Sequence, residues 1–339
     1  MLQHDRNKDL WIDRLEYGTH YDGFISGLRD ISGTDTHYDF TLYDKTGEIR
    51  GTIPKASVEE QPQKGVFSVS MNVKMEKGVK IAVVKSITPA TAGIHYNPMD
   101  IFRGISEETR MELIQRIKGA ICEVAKCEKQ SGGGHYKDLL LSYFSQNEVD
   151  ILAKRPASVA DAGRYMGGAL HLIANVASLC SAARTASEGR LSAIPNGLYD
   201  VQTDFPLMLT ACLLCMAGMK EYVGDDMNKT QKGEIRGYHS LLQSRIEPLF
   251  AETGVTPLEG DKLLNTLQCM FPGVGALKSI TLESSVCRAC LSLYKEMDQI
   301  AAYLSEVPAV EDVRKGFRYS ESLRRPFLIA PEGGAEDVS

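Results

Sequence analysis

No hydrophobic run in this chain is long enough for a membrane. A bilayer asks for about 20 consecutive apolar residues, and the most apolar stretch, residues 206–219, stops short of that. No membrane partner is therefore expected. The opening residues, MLQHDRNKDLWIDRLEY, carry charges where a secretory leader carries its apolar centre, so the sequence reads as cytoplasmic. Cysteine is too sparse for a disulfide scaffold. There are eight in 339 residues, most of them in apolar helical surroundings, which fits reduced thiols. Excess positive charge is missing as well. With 38 Lys and Arg against 44 Asp and Glu the net charge is −6, so no global field draws in polyanions and any nucleic-acid binding has to be local. The glycine run Ser131-Gly132-Gly133-Gly134-His135 lacks both the following Gly-Lys-Ser/Thr and the preceding strand of a phosphate loop, and reads as a connector.

What remains is an ordinary folded composition, 43% apolar and 24% charged. Its length suits two domains of about 100–200 residues each. After a polar lead-in at residues 1–14, residues 15–92 read as β. Residues 17–26 form a first strand. Next, Tyr38, Phe40 and Leu42 alternate with His37, Asp39, Thr41 and Tyr43. Asp44-Lys45-Thr46-Gly47 reads as a hairpin turn with Gly47 supplying a positive φ. Ile49, Gly51 and Ile53 alternate with Arg50 and Thr52; Phe67, Val69, Met71 and Val73 alternate with Ser68, Ser70 and Asn72. A turn at Glu76-Lys77-Gly78 leads into a last strand in which Val79, Ile81 and Val83 share a face. Five short strands with one polar face suit a small closed barrel. An OB-fold is the first expectation and an SH3-like unit the alternative.

A linker at 93–103 precedes residues 104–305, which read helical throughout. Ser106 caps a helix with Glu107 and Glu108 in its first turn, and Met111, Ile114, Ile117, Ile121 and Val124 mark its stripe. One helix is expected over 136–153. Another starts from an Asp161 cap and runs through Tyr165, Met166, Ala169, Leu170, Ile173 and Val176 to Cys180, with a loop over 187–203. The stretch LMLTACLLCMAGMKEY at 207–222 is apolar on nearly every side until Lys220. A helix with no face for water belongs at the centre of a domain. Further helices are expected over 233–250, 262–270 and 276–304. The final segment, 306–339, holds Arg314, Lys315, Arg318, Arg324 and Arg325 among Phe317, Tyr319 and Phe327. It is either an arm that contacts phosphates and stacks bases, or a tail that packs its rings and leaves its arginines in water.

Barrel, linker and helical domain in this order resemble the YhaM-type 3′–5′ exoribonucleases, which join an OB-fold to an HD-type metal phosphohydrolase domain. The stretch Asp39-Phe40-Thr41-Leu42-Tyr43-Asp44-Lys45-Thr46-Gly47-Glu48-Ile49 resembles the strand-turn-strand of that family's barrel. Residues 164–172, RYMGGALHL, resemble its Gly-Leu-Leu-x-His-Thr helix, residues 209–221 its His-Asp helix, and Gly237-Tyr238-His239 its later Gly-His. The resemblance implies an α+β protein, a five-stranded OB-like barrel followed by an all-α HD-like domain. It also implies that the metal centre is lost. Cys215-Met216 stand where the family has its His-Asp doublet, Leu172 where it has a ligand histidine, Ala162 and Gly163 where it has a histidine pair, and Phe271-Pro272 where it has His-His. Magnesium and manganese take hard oxygen donors, which these residues do not offer.

No catalytic residue, metal or cofactor is therefore expected. A rebuilt soft-metal site around His171, Cys215, His239 and Cys290 is the alternative. The pairs Cys212-x-x-Cys215 and Cys287-x-x-Cys290 would make a tetrahedral thiolate site if folded together, and otherwise are buried free thiols. Glu221, Asp225 and Asp226 read as a solvated acidic loop. The candidate nucleic-acid-binding residues are His37, Thr41, Tyr43, Arg50, Thr52 and Lys80 on the barrel, with Arg314 and Arg318 in the arm. The barrel holds nine basic and ten acidic residues between Leu15 and Ala92, so phosphate binding there would be weak and a protein-docking face is the competing reading. Three functions follow: a binder of single-stranded RNA or DNA with an inactive HD-like domain, a divergent metal-dependent 3′–5′ exonuclease or phosphodiesterase, and an oligomeric or partner-docking scaffold.

Overall fold

The structure, a computed structural model, describes residues 10–91, 94–96, 98–159, 165–191, 203–271, 281–306, 317–320 and 325–328. Five strands open the chain: β1 (His20–Gly33), β2 (His37–Asp44), β3 (Gly47–Pro54), β4 (Gly65–Glu76) and β5 (Val79–Pro89). They close into a barrel of order β1-β2-β3-β5-β4, with β1 also pairing β4 and with β3 and β5 parallel. This is the OB-fold topology. Alternation supplies the core: Leu28, Phe40, Leu42, Ile49, Ile53, Val69, Met71, Val73, Ala82 and Val84 point inward together.

Two details depart from the sequence expectation. First, β1 is longer than expected. Register shifts between Tyr21 and Phe24 and between Arg29 and Ser32 bend it, so that its first part pairs with β4 and its later part with β2. Gly23 (φ 69°) and Asp30 (φ 53°) take the left-handed conformations inside these shifts. Second, Gly47 is not the source of the β2–β3 turn, since it has no positive φ. The turn is held instead by the buried Asp44 carboxylate, which accepts from the Thr46 backbone N–H at 2.8 Å, the Thr46 hydroxyl at 2.6 Å and the Ile12 N–H at 3.0 Å. At the β4–β5 hairpin Lys77 (φ 50°) and Gly78 (φ 81°) are both left-handed, as a two-residue hairpin loop requires.

Two glycines make room for aromatic rings on the neighbouring strand. Gly27 faces Tyr43 and Gly51 faces Phe40 in register. A Cβ at Gly27 would stand 2.2 Å from the Tyr43 ring, and one at Gly51 would stand 2.4 Å from the Phe40 ring. Each ring lies flat where its neighbour has no side chain.

Helices follow: α1 (Pro98–Ile101), α2 (Glu107–Ser131), α3 (Tyr136–Tyr143), α4 (Gln146–Leu152), α5 (Gly168–Leu191), α6 (Phe205–Leu214), α7 (Met219–Tyr222), α8 (Gln231–Thr253), α9 (Pro257–Met270) and α10 (Leu282–Glu306). A two-stranded sheet, β6 (Phe317–Ser320) with β7 (Arg325–Leu328), lies in the segment read from sequence as an arm. Ser106 caps α2 as expected, accepting from the Thr109 N–H. The buried stripe of α2 is Leu113, Ile117, Ile121, Val124 and Glu128, and Met111 faces out at 50% exposure.

The expected helix over 136–153 is two helices. Ser145 leaves the α conformation to cap α4, its hydroxyl accepting from the Glu148 N–H. Tyr165 and Met166 precede α5 rather than lying within it, because Gly167 turns left-handed (φ 84°) and Met166 bridges to Gly104. Asp161 lies outside the described residues. The helical conformation also continues to Leu191, past the expected start of a loop at 187. The stretch at 207–222 is divided as well. α6 is buried on every side from Leu207 to Leu214 and capped by Asp204, then the chain turns and restarts as α7. At the turn Gly218 presses on α8, where a Cβ would meet the Leu242 backbone nitrogen at 2.9 Å. So α6 is the centre of the helical body, in contact with α2, α3, α5, α9 and α10.

A third apolar cluster joins barrel to helices: Val66, Tyr96, Ile101, Phe102, Met166 and Met227, with Ile25, Tyr43 and Ala90 against it. Met227 reaches this seam from the α7–α8 loop in a left-handed conformation (φ 61°). Lys45 adds an ion pair to Asp100 at 3.2 Å while its ammonium lies over the Trp11 ring.

Candidate nucleic-acid interface

The parallel pairing of β3 with β5 builds the groove on the barrel's outer face. It sets Arg50 beside Ile81 and Thr52 beside Val83. Across the other edge of β3, Asp39 faces Thr52 and His37 faces Pro54. The result is a groove of about 350 Å³ lined by Thr34, His37, Asp39, Arg50, Thr52, Glu76, Ile81 and Val83. Half-buried Ile81 and Val83 form its apolar floor. Arg50 stands out at 68% side-chain exposure and reaches the Asp39 carboxylate at 3.3 Å. The His37 Nδ1 lies 2.7 Å from the Thr36 hydroxyl. Two cationic or titratable groups, Arg50 and His37, therefore face two carboxylates, Asp39 and Glu76.

Of the barrel residues singled out from sequence, the structure gathers His37, Arg50 and Thr52 here. Thr41 pairs with Arg50 on the same face but lies beyond the groove. Tyr43 is taken by the seam, its ring 6.1 Å from that of Phe102 with the Arg29 guanidinium 5.4 Å away. It lines a separate cavity of about 460 Å³ with Arg29, Asp44, Glu48, Phe102 and Arg103. The Lys80 ammonium donates to the Leu15 carbonyl at 2.7 Å. Arg314 lies outside the described residues, as do Pro272, Ala162 and Gly163. Arg318 is placed only as a position in β6.

Sequence reading missed Ile81 and Val83, having grouped them with Val79 on the face opposite Lys80, which it set outward. The inward residues of β5 are Ala82 and Val84. Both faces of this strand are apolar, so the period of two gives no sign of which one turns inward.

The resemblance-derived positions sit in the helical core. Leu172, Cys215 and Met216 are buried there and Phe271 packs against the cluster. Burial pushes the Cys215 thiol up to about 12 and the Cys290 thiol up to about 11. Neither is a ready thiolate. The His171 Nδ1 lies 2.7 Å from the Tyr165 hydroxyl and 2.9 Å from that of Tyr294. The His239 ring sits edge-on to Tyr238 and Phe271. His171, Cys215, His239 and Cys290 do not converge; among the described residues the one gathering of potential metal-binding side chains is Cys180, Cys212 and Cys287. One member of each Cys-x-x-Cys pair enters it and the other stays out.

Burial lowers the pKa of both His171 and His239. The unfolded chain, with histidines near their ordinary value of about 6.5, then binds protons that the folded chain refuses. Stability from these two groups is complete above that value and falls as pH drops through it toward the folded values. Urea midpoints measured from pH 7 to 5 are expected to decline, and the decline to shrink in His171→Phe/His239→Phe. An unchanged slope in the double variant would refute the assignment.

No family model and no curated protein matches the sequence. Among solved structures, a replication protein A heterotrimer bound to ssDNA contributes a chain similar at 19% identity, with a TM-score of 0.21, over 26% of this chain and 71% of that one. At that score the likeness bears no weight on what this chain binds. The closed barrel stands on its own strand order.

Proposed function

We propose that the protein binds single-stranded nucleic acid through the β2–β3–β5 groove, and that an HD-like helical domain without hydrolytic chemistry frames the barrel. The observation that carries this reading is the groove itself. On an OB topology this is the face that holds single strands, and here it combines an apolar floor with Arg50, His37 and Thr52 along its rim. The helical body supports the inactive half of the reading. Hydrocarbon and neutral sulfur fill the positions at which the resembled family holds divalent ions, and neither supplies the hard donors such ions require.

Charge balance in the groove sets the expected strength. Arg50 already has Asp39 as a partner, so a phosphate has to compete with a carboxylate and affinity should be modest. Anisotropy titration of a labelled single-stranded RNA and its DNA counterpart at two salt concentrations is the test. Binding should weaken with salt. Arg50→Ala should lose about tenfold in affinity and reduce the salt slope by about 0.7, the contribution of one phosphate on a single strand. Binding indifferent to salt and to Arg50 would reject the reading in favour of protein docking. Shortening of the strand from its 3′ end in the presence of manganese would reject the inactive half.

A further inference from the structure

Three helices each deliver one sulfur to the same point in the helical core: Cys180 from α5, Cys212 from α6 and Cys287 from α10. All three side chains are fully buried. Their sulfurs lie within 4.8 Å of one another, and Cys212 Sγ stands 3.9 Å from Cys287 Sγ. That is nearly twice a disulfide bond of about 2.05 Å, and all three are free thiols. From this geometry we propose that Cys180, Cys212 and Cys287 form a three-coordinate site for a soft monovalent metal ion, Cu(I).

The spacing suits an ion at the centre. With metal–sulfur bonds of zinc length, about 2.3 Å, a planar trigonal set places its sulfurs about 4.0 Å apart. Thiolate donors select soft ions, Cu(I) among them. Structural zinc is almost always four-coordinate, and no further His, Cys, Asp or Glu joins the trio among the described residues. The Met208 carbonyl lies 3.5 Å from Cys287 Sγ and accepts its S–H.

The Cys212 S–H in turn points at the Cys287 sulfur. Binding moves no electron. Copper stays Cu(I), each new Cu–S bond to a protonated sulfur releases its proton to buffer, and the thiols are not oxidised.

The test uses the reduced full chain under anaerobic conditions, with Cu(I) supplied from a bicinchoninate complex to native protein and during refolding from urea. One Cu(I) per chain should be retained, with a thiolate-to-copper ultraviolet band. Alkylation in urea strong enough to expose these thiols in the copper-free chain, followed by peptide mass mapping, should show Cys180, Cys212 and Cys287 protected together only when copper is present. Under denaturing alkylation that keeps the metal bound, the other five thiols should still react. Cys180→Ala, Cys212→Ala and Cys287→Ala should each lose affinity by about 100-fold or more, since even outer partners of a metal site are worth 10–100-fold. Cys269→Ala, another buried cysteine outside the trio, should lose none. No retained copper, equal retention by the three variants, or zinc displacing copper at equal concentration would each overturn the proposal. If a variant fails to fold, copper-dependent protection of the three thiols in the unaltered chain decides alone.

Discussion

Glu148→Ala should lower the unfolding free energy by about 3 kcal/mol, the lower end of the range for removing one partner from a buried ion pair. Glu148 sits on α4, just where the apolar run of α6 has surfaced as α7. Its side chain is 11% exposed, and one carboxylate oxygen accepts from Lys220 at 3.3 Å and from Arg245 as well. Without it two cations are left facing each other in a partly dry joint between α4, α7 and α8. The lower end applies because Lys220 and Arg245 keep 35% and 25% of their side chains in solvent, which screens part of the cost. Glu148→Ala combined with Arg245→Met should recover stability, since removing both charges spares the desolvation of each. Urea unfolding of the two variants is the check. A single variant within 1 kcal/mol of the parent would mean that the triad contributes little.

Gly27→Val is expected to cost about 3 kcal/mol although valine favours strands, because overpacking here outweighs propensity. The new Cβ would occupy the space of the Tyr43 ring, 2.2 Å from its nearest atom. Displacing that ring strips one wall from the seam formed by Phe102, Met166 and Met227. The sign should change with context. In a Tyr43→Ala background the same substitution should be neutral or stabilising, since a side chain then fills an emptied site. Denaturant curves for the four members of this cycle test it, and equal losses in both backgrounds would refute the steric account.

The barrel was legible because its signals agree at several levels. Inward Phe40, Leu42, Ile49 and Ile53 keep a strict period of two, and Gly78 turns left-handed as its residue type allows. The fully apolar α6 announced its central place for the same reason: it has no face to offer water. What stayed hidden depended on partners distant in sequence. Nothing near Ile81 tells that β5 runs parallel to β3, so the groove floor was assigned to the wrong side of its strand. Nothing near Tyr43 tells that Gly27 lies beneath it and Phe102 beside it, so a ring read as free for bases turns out to belong to the seam. The sulfur trio escaped in a similar way. The eye is drawn to Cys-x-x-Cys, whereas the cluster takes one cysteine from each pair and a third from a helix with no such motif.

The parallel contact between β3 and β5 also constrains the order of events during synthesis. Neighbouring hairpins form from local contacts, but this pairing requires β4 to have been laid down and the chain to have come back. Until Val83 has left the ribosome, β3 keeps an open edge carrying free backbone groups, the kind of edge that recruits other chains. Such long-range closure is slow relative to hairpin formation. The nascent barrel is therefore most exposed to aggregation while residues 55–78 are emerging, and a translational pause placed there should lower the yield of soluble protein more than one placed after Pro89.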